Sequence, residues 1–441
     1  MTTEARAPTQ APSRAPSRAP SELFTALPTD LPPVERRAVV PHGFVAAGTA
    51  CGIKASGRPD LAVFAATGRP AAAAAVFTRN AFAAAPVRLT QAHLAATEPG
   101  GSGGYGRAQG VISTSGSANA ATGPDGDADQ AAIAAMFADA LGTTPELTLC
   151  MSTGIIGTRL PLDRVEAGIA AVVGGGRLSA EPAALEAAAE ALRTTDTRAK
   201  LATTTAGGIT VSGIAKGVGM IHPRMATMLS VVMTDAAVDP ATLHSLLRRA
   251  ADRTWNQLSV DGDTSTNDTV IALASGASGV TCDADGRAAD LLGRAIEAVA
   301  RDLARQQAAD GEGATTLLTC QVSGARDDAD ARAVAREVVS SSLVKAAAHG
   351  RDPNWGRIAG AAGNADAALD PTKLRIAIAG RLVYDGPAGG PAAFDRGATR
   401  AAMEAPEVLI RLDLGLGDGS GEAFGCDLTE QYVIENAEYT T

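Results

Sequence analysis

Short runs of β-forming residues alternate with alanine-rich amphipathic segments from His42 to the C-terminus, and this alternation strongly constrains the fold. Apolar side chains at i, i+3, i+4 and i+7 share one helical face, as do Ile133, Met136, Phe137 and Ala140. Such helices must bury that face against another layer. The pattern therefore predicts an α/β fold in which helices flank a sheet core. The predicted strands span residues 61–65, 74–78, 111–114, 147–151, 209–215, 230–234, 317–322, 374–379 and 408–414.

Three further segments carry helical patterns. One begins at Pro240 behind an Asp239 cap, since proline suits the first helical position. Another has an apolar stripe over residues 292–303, and the third covers residues 331–348. We expect these helices to lie on the faces of the predicted sheets.

Glycine and proline mark the segments between these elements. Residues 1–22 repeat Ala-Pro-Ser-Arg with nothing to bury, which predicts a disordered tail. The glycine-rich residues 99–104 predict a loop. The glycine cluster at residues 415–421 lies between two β-like runs and predicts a hairpin turn.

Composition excludes several classes of function. A net charge of −10, from 38 basic and 48 acidic residues, repels phosphate backbones and anionic lipids, and aromatic residues make up only 3%. No run of about 18 apolar residues escapes interruption, and the N-terminus lacks the apolar region of a signal peptide. We expect a cytoplasmic protein that binds neither nucleic acid nor membranes. Five scattered cysteines and five dispersed histidines predict neither a disulfide framework nor a metal site.

Residues 209–235 carry the pattern most suggestive of chemistry. A strand-like run ends in Lys216-Gly-Val-Gly219, and the block Met-Ala-Thr-Met-Leu that contains Thr227 leads into the next predicted strand. Glycines let the backbone approach a bound group closely, and Lys216 would supply a fixed positive charge. From these residues alone, an ordinary threonine at the start of a strand is the favoured interpretation of Thr227.

Nine sequence blocks in a fixed order change that interpretation. They run from about His42 to Thr441 and resemble the ornithine acetyltransferase family, also called glutamate N-acetyltransferases or arginine biosynthesis bifunctional proteins. The resemblance covers nearly the whole folded chain and implies an α/β sandwich of stacked sheets flanked by helices, of the self-processing N-terminal-nucleophile type. The blocks are PHGFVAAGTACGIK, AVFTRNAFAAAPV, MSTGIIG, TTDT, GIAKGVGMIHPRMATML, DGDTSTNDT, DGEGAT, HGRDPNWGRI and GCDLTEQYVIENAEYTT.

The resemblance implies that the precursor cleaves itself between Ala226 and Thr227. Residues 23–226 would then form an α chain, and residues 227–441 a β chain that begins with the nucleophile. A free α-amino group has a pKa of about 7.7–8.0, so near neutral pH it can accept the proton of the threonine's own hydroxyl. Thr227 would supply both the nucleophile and the general base.

The resemblance also implies the roles of other residues. Thr153 and Gly154 match oxyanion donors, a hydroxyl and a backbone N–H that face the developing negative charge. Lys216 matches a partner for a substrate carboxylate, and Glu312 a partner for a substrate ammonium. The full set of implied substrate-binding residues is Thr197, Lys216, Thr227, Glu312, Asn436 and Thr441.

The implied reaction moves acetyl from N2-acetyl-L-ornithine to L-glutamate through an acyl-threonine intermediate, as in the cyclic pathway of arginine biosynthesis. It needs no cofactor and no metal. The implied partners are small amino-acid substrates and a second αβ pair, which gives an (αβ)₂ heterotetramer. The sequence leaves open whether acetyl-CoA also serves as a donor.

Two alternatives remain beside this reading. A related N-terminal-nucleophile amidohydrolase or aminopeptidase would pass the acyl group to water, and a non-enzymatic binding protein would never cleave itself. The chain also departs from the family pattern within residues 113–119, where two amides are replaced, and at Thr316, where the family usually has lysine. These departures would suit an acyltransferase with a different amino-acid substrate in secondary metabolism.

Overall fold

The computed structural model describes Phe24, Leu27 and residues 30–222 and 228–438, so the predicted tail, residues 1–22, lies outside the described residues. The strands are β1 (Phe44–Thr49), β2 (Leu61–Ala66), β3 (Ala71–Phe77), β4 (Tyr105–Ala108), β5 (Gly110–Ser117), β6 (Thr148–Ile155), β7 (Lys200–Ala206), β8 (Ile209–Lys216), β9 (Leu229–Thr234), β10 (Leu258–Ser259), β11 (Thr269–Ala274), β12 (Leu317–Ala325), β13 (Arg375–Ile378), β14 (Arg381–Asp385), β15 (Gly390–Pro391), β16 (Glu407–Asp413) and β17 (Gly419–Cys426). The helices are α1 (Ala85–Thr97), α2 (Gly123–Leu141), α3 (Leu162–Ile169), α4 (Pro182–Leu192), α5 (Pro240–Arg253), α6 (Arg287–Ala309), α7 (Asp328–Ser340), α8 (Ser342–His349), α9 (Trp355–Asn364), α10 (Arg396–Ala402) and α11 (Glu430–Glu438).

Two sheets stack to form the main body. One has the strand order β4-β3-β11-β9-β8-β7, and the other has the order β1-β2-β5-β6. Strand side chains alternate between two faces, so β3 sends Ala73 into the core shared by both sheets and Ala74 into the core beneath α5 and α6. Helices α2 and α3 cover the outer face of the other sheet. The predicted sandwich with flanking helices is confirmed.

A third sheet packs at the side of this body. Its strand order is β10-β17-β12-β16-β13-β14-β15, and α7, α8 and α9 bury one of its faces. The guanidinium carbons of Arg301 and Arg305, both in α6, each lie 5.6 Å from the ring centroid of Phe424 in β17. Helix α6 therefore contacts both the six-stranded sheet and this third sheet. Within residues 30–222 and 228–438, no helix has the length and apolar character that a membrane crossing requires.

Most predicted elements are confirmed, but two local predictions are wrong. The predicted helix over residues 331–348 is two helices, because the Ser341 hydroxyl accepts a hydrogen bond from the Val344 amide and so caps a new helix, α8. The glycine-rich residues 415–421 do not form a hairpin turn. Strands β16 and β17 lie on opposite sides of β12, so this segment passes over the end of β12 instead of joining two neighbours.

Strand ends converge where the functional residues lie. Strands β8 and β9 pair antiparallel, and this pairing sets Lys216 at the end of β8 opposite Leu229 at the start of β9. Strand β6 pairs parallel with β5 and carries Thr153 near its carboxyl end. The segment that enters β11 also reaches this region, since the Thr269 amide donates to the Met228 carbonyl at 2.9 Å.

Candidate active site

The ends of β6, β8 and β9 and the segment before β11 border a cavity of about 250 Å³. Several residues that the family resemblance implied line this cavity together, although they come from β6, β8, the segment after α6 and helix α11. These residues are Thr153, Gly154, Lys216, Glu312 and Asn436. The fold therefore gathers most of the implied site around one space.

Lys216 and Thr153 make the central polar contact of the cavity. The Lys216 ammonium donates a hydrogen bond to the Thr153 hydroxyl oxygen at 3.1 Å. An ammonium is only a donor, so in this contact the threonine oxygen accepts. The hydroxyl proton of Thr153 is thereby left to be donated to another group, as an oxyanion donor requires.

Gly154 has a backbone conformation that suits glycine. Its φ is +133°, and a Cβ atom added there would lie 2.3 Å from the carbonyl carbon of Gly116. A side chain would therefore push β6 away from β5. Glycine lets the backbone of Gly154 reach the cavity wall beside Thr153.

Several charged groups set the proton affinity of Lys216. Burial lowers the pKa of its ammonium, and the Asp196 carboxylate opposes that fall. Lys200 lowers the pKa further, whereas Glu312 and Asp268 raise it. The net result is a pKa below the ordinary lysine range, so Lys216 gives up its proton more readily than an exposed lysine.

A buried ion-pair network lies behind Lys216. The Lys200 ammonium, fully buried, contacts Asp196 Oδ1 at 2.7 Å and Asp310 Oδ2 at 2.6 Å. Asp196 Oδ1 also accepts from the Gly217 amide at 2.8 Å, which ties the network to the residue after Lys216. Burial would raise the pKa of Asp196, but the nearby Lys200 and Lys216 ammonium groups outweigh it and lower the pKa to about 2.

Thr197 belongs to this network and does not line the cavity. Its hydroxyl donates to Asp310 Oδ1, and its amide donates to Asp310 Oδ2 at 3.2 Å. Thr194 and Thr195, three and two residues earlier in the chain, line the cavity instead. This geometry does not support the implied contact of Thr197 with the substrate, because the side chain is already bonded to a buried carboxylate.

Glu312 is held from three sides. Its Oε1 accepts from the Thr195 hydroxyl at 2.9 Å, and its Oε2 accepts from the Asn436 amide at 3.0 Å. Its backbone amide donates to the Val218 carbonyl at 2.8 Å. A Cβ atom added at Gly219 would lie 2.2 Å from Glu312 Oε2, so glycine there leaves room for the carboxylate.

Other lining residues were not assigned a role from the sequence. Thr195, Asp268 and Tyr432 all border the cavity. Residues 265–268 belong to the DGDTSTNDT block, one of the nine that carry the family resemblance, and they also line the cavity. Asn267 donates to the carbonyls of Ala118 at 2.7 Å and Ser152 at 2.8 Å. The sequence signal for an ordered segment around Tyr432 is the run Tyr432-Val433-Ile434, which is too apolar for a frayed tail.

Three predicted site residues, Ala226, Thr227 and Thr441, lie outside the described residues. The described chain resumes at Met228, whose side chain is buried in the wall of the cavity. Among residues 30–222 and 228–438, no group of three or more His, Cys, Asp or Glu side chains has an arrangement that could hold a metal ion.

The departures from the family pattern lie outside the cavity wall. Ser117 donates its hydroxyl to the Thr158 carbonyl at 2.7 Å, and Thr114 is buried within β5. The Thr316 amide donates to Asp427 Oδ1 at 2.9 Å. None of these three side chains is among the described residues that line the cavity, whereas the neighbouring Ala118 is. Any effect of these three side chains on substrate choice is therefore indirect, through residues that do line the cavity.

Comparison with known proteins gives a consistent result. A family model described as the ArgJ family matches residues 45–441 of the chain. The arginine biosynthesis bifunctional protein ArgJ of Thermus thermophilus is 44% identical over 402 residues, which cover 91% of this chain and 99% of that protein. The protein of the same description from Thermosynechococcus vestitus is 45% identical over 425 residues, which cover 90% of this chain and 96% of that protein.

A solved structure is also similar in sequence. It is an arginine biosynthesis bifunctional protein ArgJ from Bacillus halodurans, 40% identical, with a TM-score of 0.47. The match covers 48% of this chain and 100% of the solved chain.

Proposed function

This chain belongs to the ArgJ family, and from that membership we propose that it transfers an acetyl group from N2-acetyl-L-ornithine to L-glutamate. The products are L-ornithine and N-acetyl-L-glutamate. The observation that carries the proposal is the 3.1 Å contact between Lys216 and the Thr153 hydroxyl, in a cavity whose wall also holds the Glu312 carboxylate. One cavity thus offers an oxyanion donor, a cation and an anion.

The first half-reaction forms an acyl-enzyme. Thr227 Oγ attacks the acetamide carbon while its proton passes to the free α-amine of Thr227. The carbonyl oxygen becomes an oxyanion that the Thr153 hydroxyl and the Gly154 amide stabilise. The carbon–nitrogen bond then breaks, the ammonium returns its proton to the leaving amine, and ornithine departs.

The second half-reaction reverses these steps with a different amine. The amino group of glutamate attacks the Thr227 ester, the oxyanion forms again at the same donors, and the ester carbon–oxygen bond breaks. Thr227 recovers its hydroxyl proton as N-acetylglutamate leaves. Because ornithine departs before glutamate reacts, the kinetics are ping-pong.

The charges around the cavity support a donor with a cationic end. Asp261, Asp263, Asp268 and Glu312 line the cavity, and Lys216 is the lysine among the described lining residues. Glu312 is positioned by Thr195 and Asn436, so its carboxylate can pair with the side-chain ammonium of the ornithine unit. The Lys216 ammonium has two N–H groups besides the one that donates to Thr153, and these can donate to a substrate carboxylate.

We also propose that the chain cleaves itself between Ala226 and Thr227 into chains of residues 1–226 and 227–441, of which the first carries the N-terminal tail before its folded part, residues 23–226. The strand order of the six-stranded sheet supports two cleaved chains that stay together. Strands β9 and β11 would belong to the second chain, yet they lie between β3 and β8 of the first. Their backbone hydrogen bonds to those neighbours would hold the two chains together after cleavage.

Three further parts of the proposal concern the cofactor, a second acetyl donor and the assembly. The reaction needs no cofactor, because side chains and one α-amine supply every group that reacts. Acetyl-CoA is a second donor to assay, since the same threonine can attack a thioester. Two αβ pairs would assemble as an (αβ)₂ heterotetramer. Light scattering during size-exclusion chromatography measures the mass of this assembly directly.

One incubation tests the reaction. Processed protein receives N2-acetyl-L-ornithine with an isotopically labelled acetyl group, together with glutamate, and mass spectrometry follows the label. Labelled acetylglutamate supports the transferase, whereas labelled acetate would show that water is the acceptor and that the protein is an amidohydrolase.

A second experiment tests processing. Under denaturing conditions, mass spectrometry of the purified protein should give two chains, one that ends at Ala226 and one that begins at Thr227. Under native conditions the two chains should elute together from a size-exclusion column. Thr227→Ala should remain a single chain without turnover, while Thr158→Ala, an exposed threonine outside the cavity, should be cut normally. An uncut but active wild-type protein would contradict the proposed nucleophile.

A further inference from the structure

A second and larger cavity lies apart from the acetyl-transfer cavity. Its volume is about 740 Å³, and it runs between α5, α7, the end of β3 and the loop of residues 102–104. The two cavities have no lining residue in common among the residues that the structure describes. The side chains that give it its chemical character are Arg79, His244, Arg248, Asp252, Arg332 and Arg336, and we call this cavity the arginine groove.

The arginine groove concentrates positive charge in a protein whose net charge is −10. Four guanidinium groups line it against one carboxylate, Asp252. The guanidinium groups of Arg79, Arg248 and Arg332 have no ion pair or hydrogen bond within residues 30–222 and 228–438. The carboxylate, by contrast, has a partner outside the arginines, since Asp252 Oδ1 accepts from the Asn256 side-chain amide at 2.8 Å.

Helix periodicity explains how the groove is lined. Side chains four residues apart lie on the same helical face, so α7 presents Arg332 and Arg336 together, and α5 presents His244 and Arg248 together. Like charges at this spacing destabilise an isolated helix. Small side chains at Ala329 and Ala333 keep the space between the helices open.

The pKa of His244, which lines the arginine groove, is sensitive to the charge in the groove. Its ring packs on Tyr105 with centroids 5.5 Å apart, and a Cβ atom at Gly104 would lie 2.8 Å from its Cε1. Burial lowers the pKa of His244, and the positive charge of Arg248 lowers it further. An anion bound in the groove would raise that pKa.

From this geometry we infer that the arginine groove binds a phosphate-bearing small molecule with at least two phosphate charges. Guanidinium forks match phosphate oxygens in paired hydrogen bonds. The three guanidiniums that have no partner among the described residues carry more positive charge than one carboxylate can neutralise. The lining also includes the apolar residues Val76 and Phe77 at the end of β3, so part of the groove surface suits the less polar part of a ligand. This inference is independent of the proposed acetyl transfer.

Calorimetry on the full protein at about 0.15 M salt, where the Debye length is about 8 Å, tests the inference. The probes are inorganic pyrophosphate, ADP, citrate and adenosine. Pyrophosphate should bind the wild type, and Arg248→Gln with Arg332→Gln should weaken its binding by roughly 100-fold, about tenfold for each charge-assisted bond lost. Arg69→Gln with Arg381→Gln, which removes two arginines outside the groove, should bind pyrophosphate like the wild type.

Each outcome bears on the inference. No binding of pyrophosphate by the wild type, or equal binding by both double variants, would overturn it. Citrate bound as tightly as pyrophosphate would assign the groove to polycarboxylates instead. A tighter affinity for ADP than for pyrophosphate, with none for adenosine, would identify a nucleoside diphosphate rather than free diphosphate as the preferred source.

Nuclear magnetic resonance supplies a second readout that does not depend on the variants. The apparent pKa of His244 should rise when pyrophosphate is added to the wild type, while the ring signals of His42, which does not line the groove, should not respond to pyrophosphate. Equal shifts of the two histidines would indicate a general salt effect and would count against binding in the groove.

Discussion

Replacing Asp196 with asparagine removes one charge from the buried network behind Lys216 while keeping the shape of the side chain. The amide oxygen can still accept from Lys200 or from the Gly217 amide. The amide nitrogen would face the Thr194 N–H, which donates to Asp196 Oδ2 at 3.2 Å in the native protein, and two donors cannot bond each other. Lys200 would keep only Asp310 as a charged partner within the described chain.

Two magnitudes set the expected cost in free energy of unfolding from below and from above. The pKa of Asp196 falls from 3.8 to about 2, which corresponds to about 2 kcal/mol of the free energy of unfolding. Removing one partner of a buried ion pair costs about 3–5 kcal/mol, and here Asp310 remains as a second partner. We therefore expect Asp196→Asn to lower the free energy of unfolding by about 2–3 kcal/mol at pH 7.

The pH dependence has a defined sign. Because the folded pKa of Asp196 lies below its unfolded value, its stabilising contribution is present above about pH 4 and is lost as pH falls toward 2. The difference in free energy of unfolding between wild type and variant should shrink across that window. The variant also removes an anion that raises the pKa of Lys216, so the alkaline limb of kcat/KM should move to lower pH.

Urea denaturation and pH–rate profiles measure both effects. The matched control is Asp125→Asn, which breaks an exposed pair with Arg159 and should cost less than about 1 kcal/mol. If Asp196→Asn unfolds at the same urea concentration as the wild type, with an unchanged alkaline limb, then the network neither stabilises the fold nor holds the proton of Lys216.

Three further substitutions probe the cavity itself. Thr153→Ala should lower kcat by roughly 10²- to 10³-fold with little change in KM, because the oxyanion exists mainly in the transition state. The control Thr158→Ala should leave both parameters unchanged. A change in KM alone would instead place Thr153 in ground-state binding. Lys216→Met should lower kcat/KM by roughly 10- to 100-fold without preventing chain cleavage, and an uncut variant on a denaturing gel would mean that the lysine also serves processing. Gly219→Ala should raise KM for acetylornithine, because the added methyl group collides with the carboxylate of Glu312, and an unchanged KM would separate that carboxylate from donor binding.

Local patterns in the sequence predicted the elements that depend on near neighbours. The Asp239 cap and Pro240 mark the start of α5, since the Asp239 side chain accepts from the Thr242 amide at 2.9 Å. Most predicted strands lie within a few residues of those observed, because alternating side chains and flanking turns are short-range signals. The helix at residues 331–348 was predicted as one element because its composition is helical throughout, and the cap at Ser341 is a single hydroxyl.

The candidate site was only partly accessible from sequence. The family resemblance singled out Thr153, Lys216 and Glu312, and the structure gathers all three around one cavity. It also singled out Thr197, whose hydroxyl instead bonds Asp310 in the network behind the cavity. No sequence pattern predicted the ion pairs of Lys200 with Asp196 and Asp310, nor the arginine groove. Each includes residues that are far apart in the chain, so no short motif contains them.

The sequence by itself determined which segments become helices or strands and which residue types are available for acyl transfer. Only the tertiary structure decided the sheet order, which sets β12 between β16 and β17 and excludes the predicted hairpin. It also decided that Lys216 donates to Thr153, 63 residues earlier in the chain. Helical and strand patterns repeat over a few residues, whereas these contacts require long loops to close, and that closure is driven by burial of apolar faces spread over the whole chain.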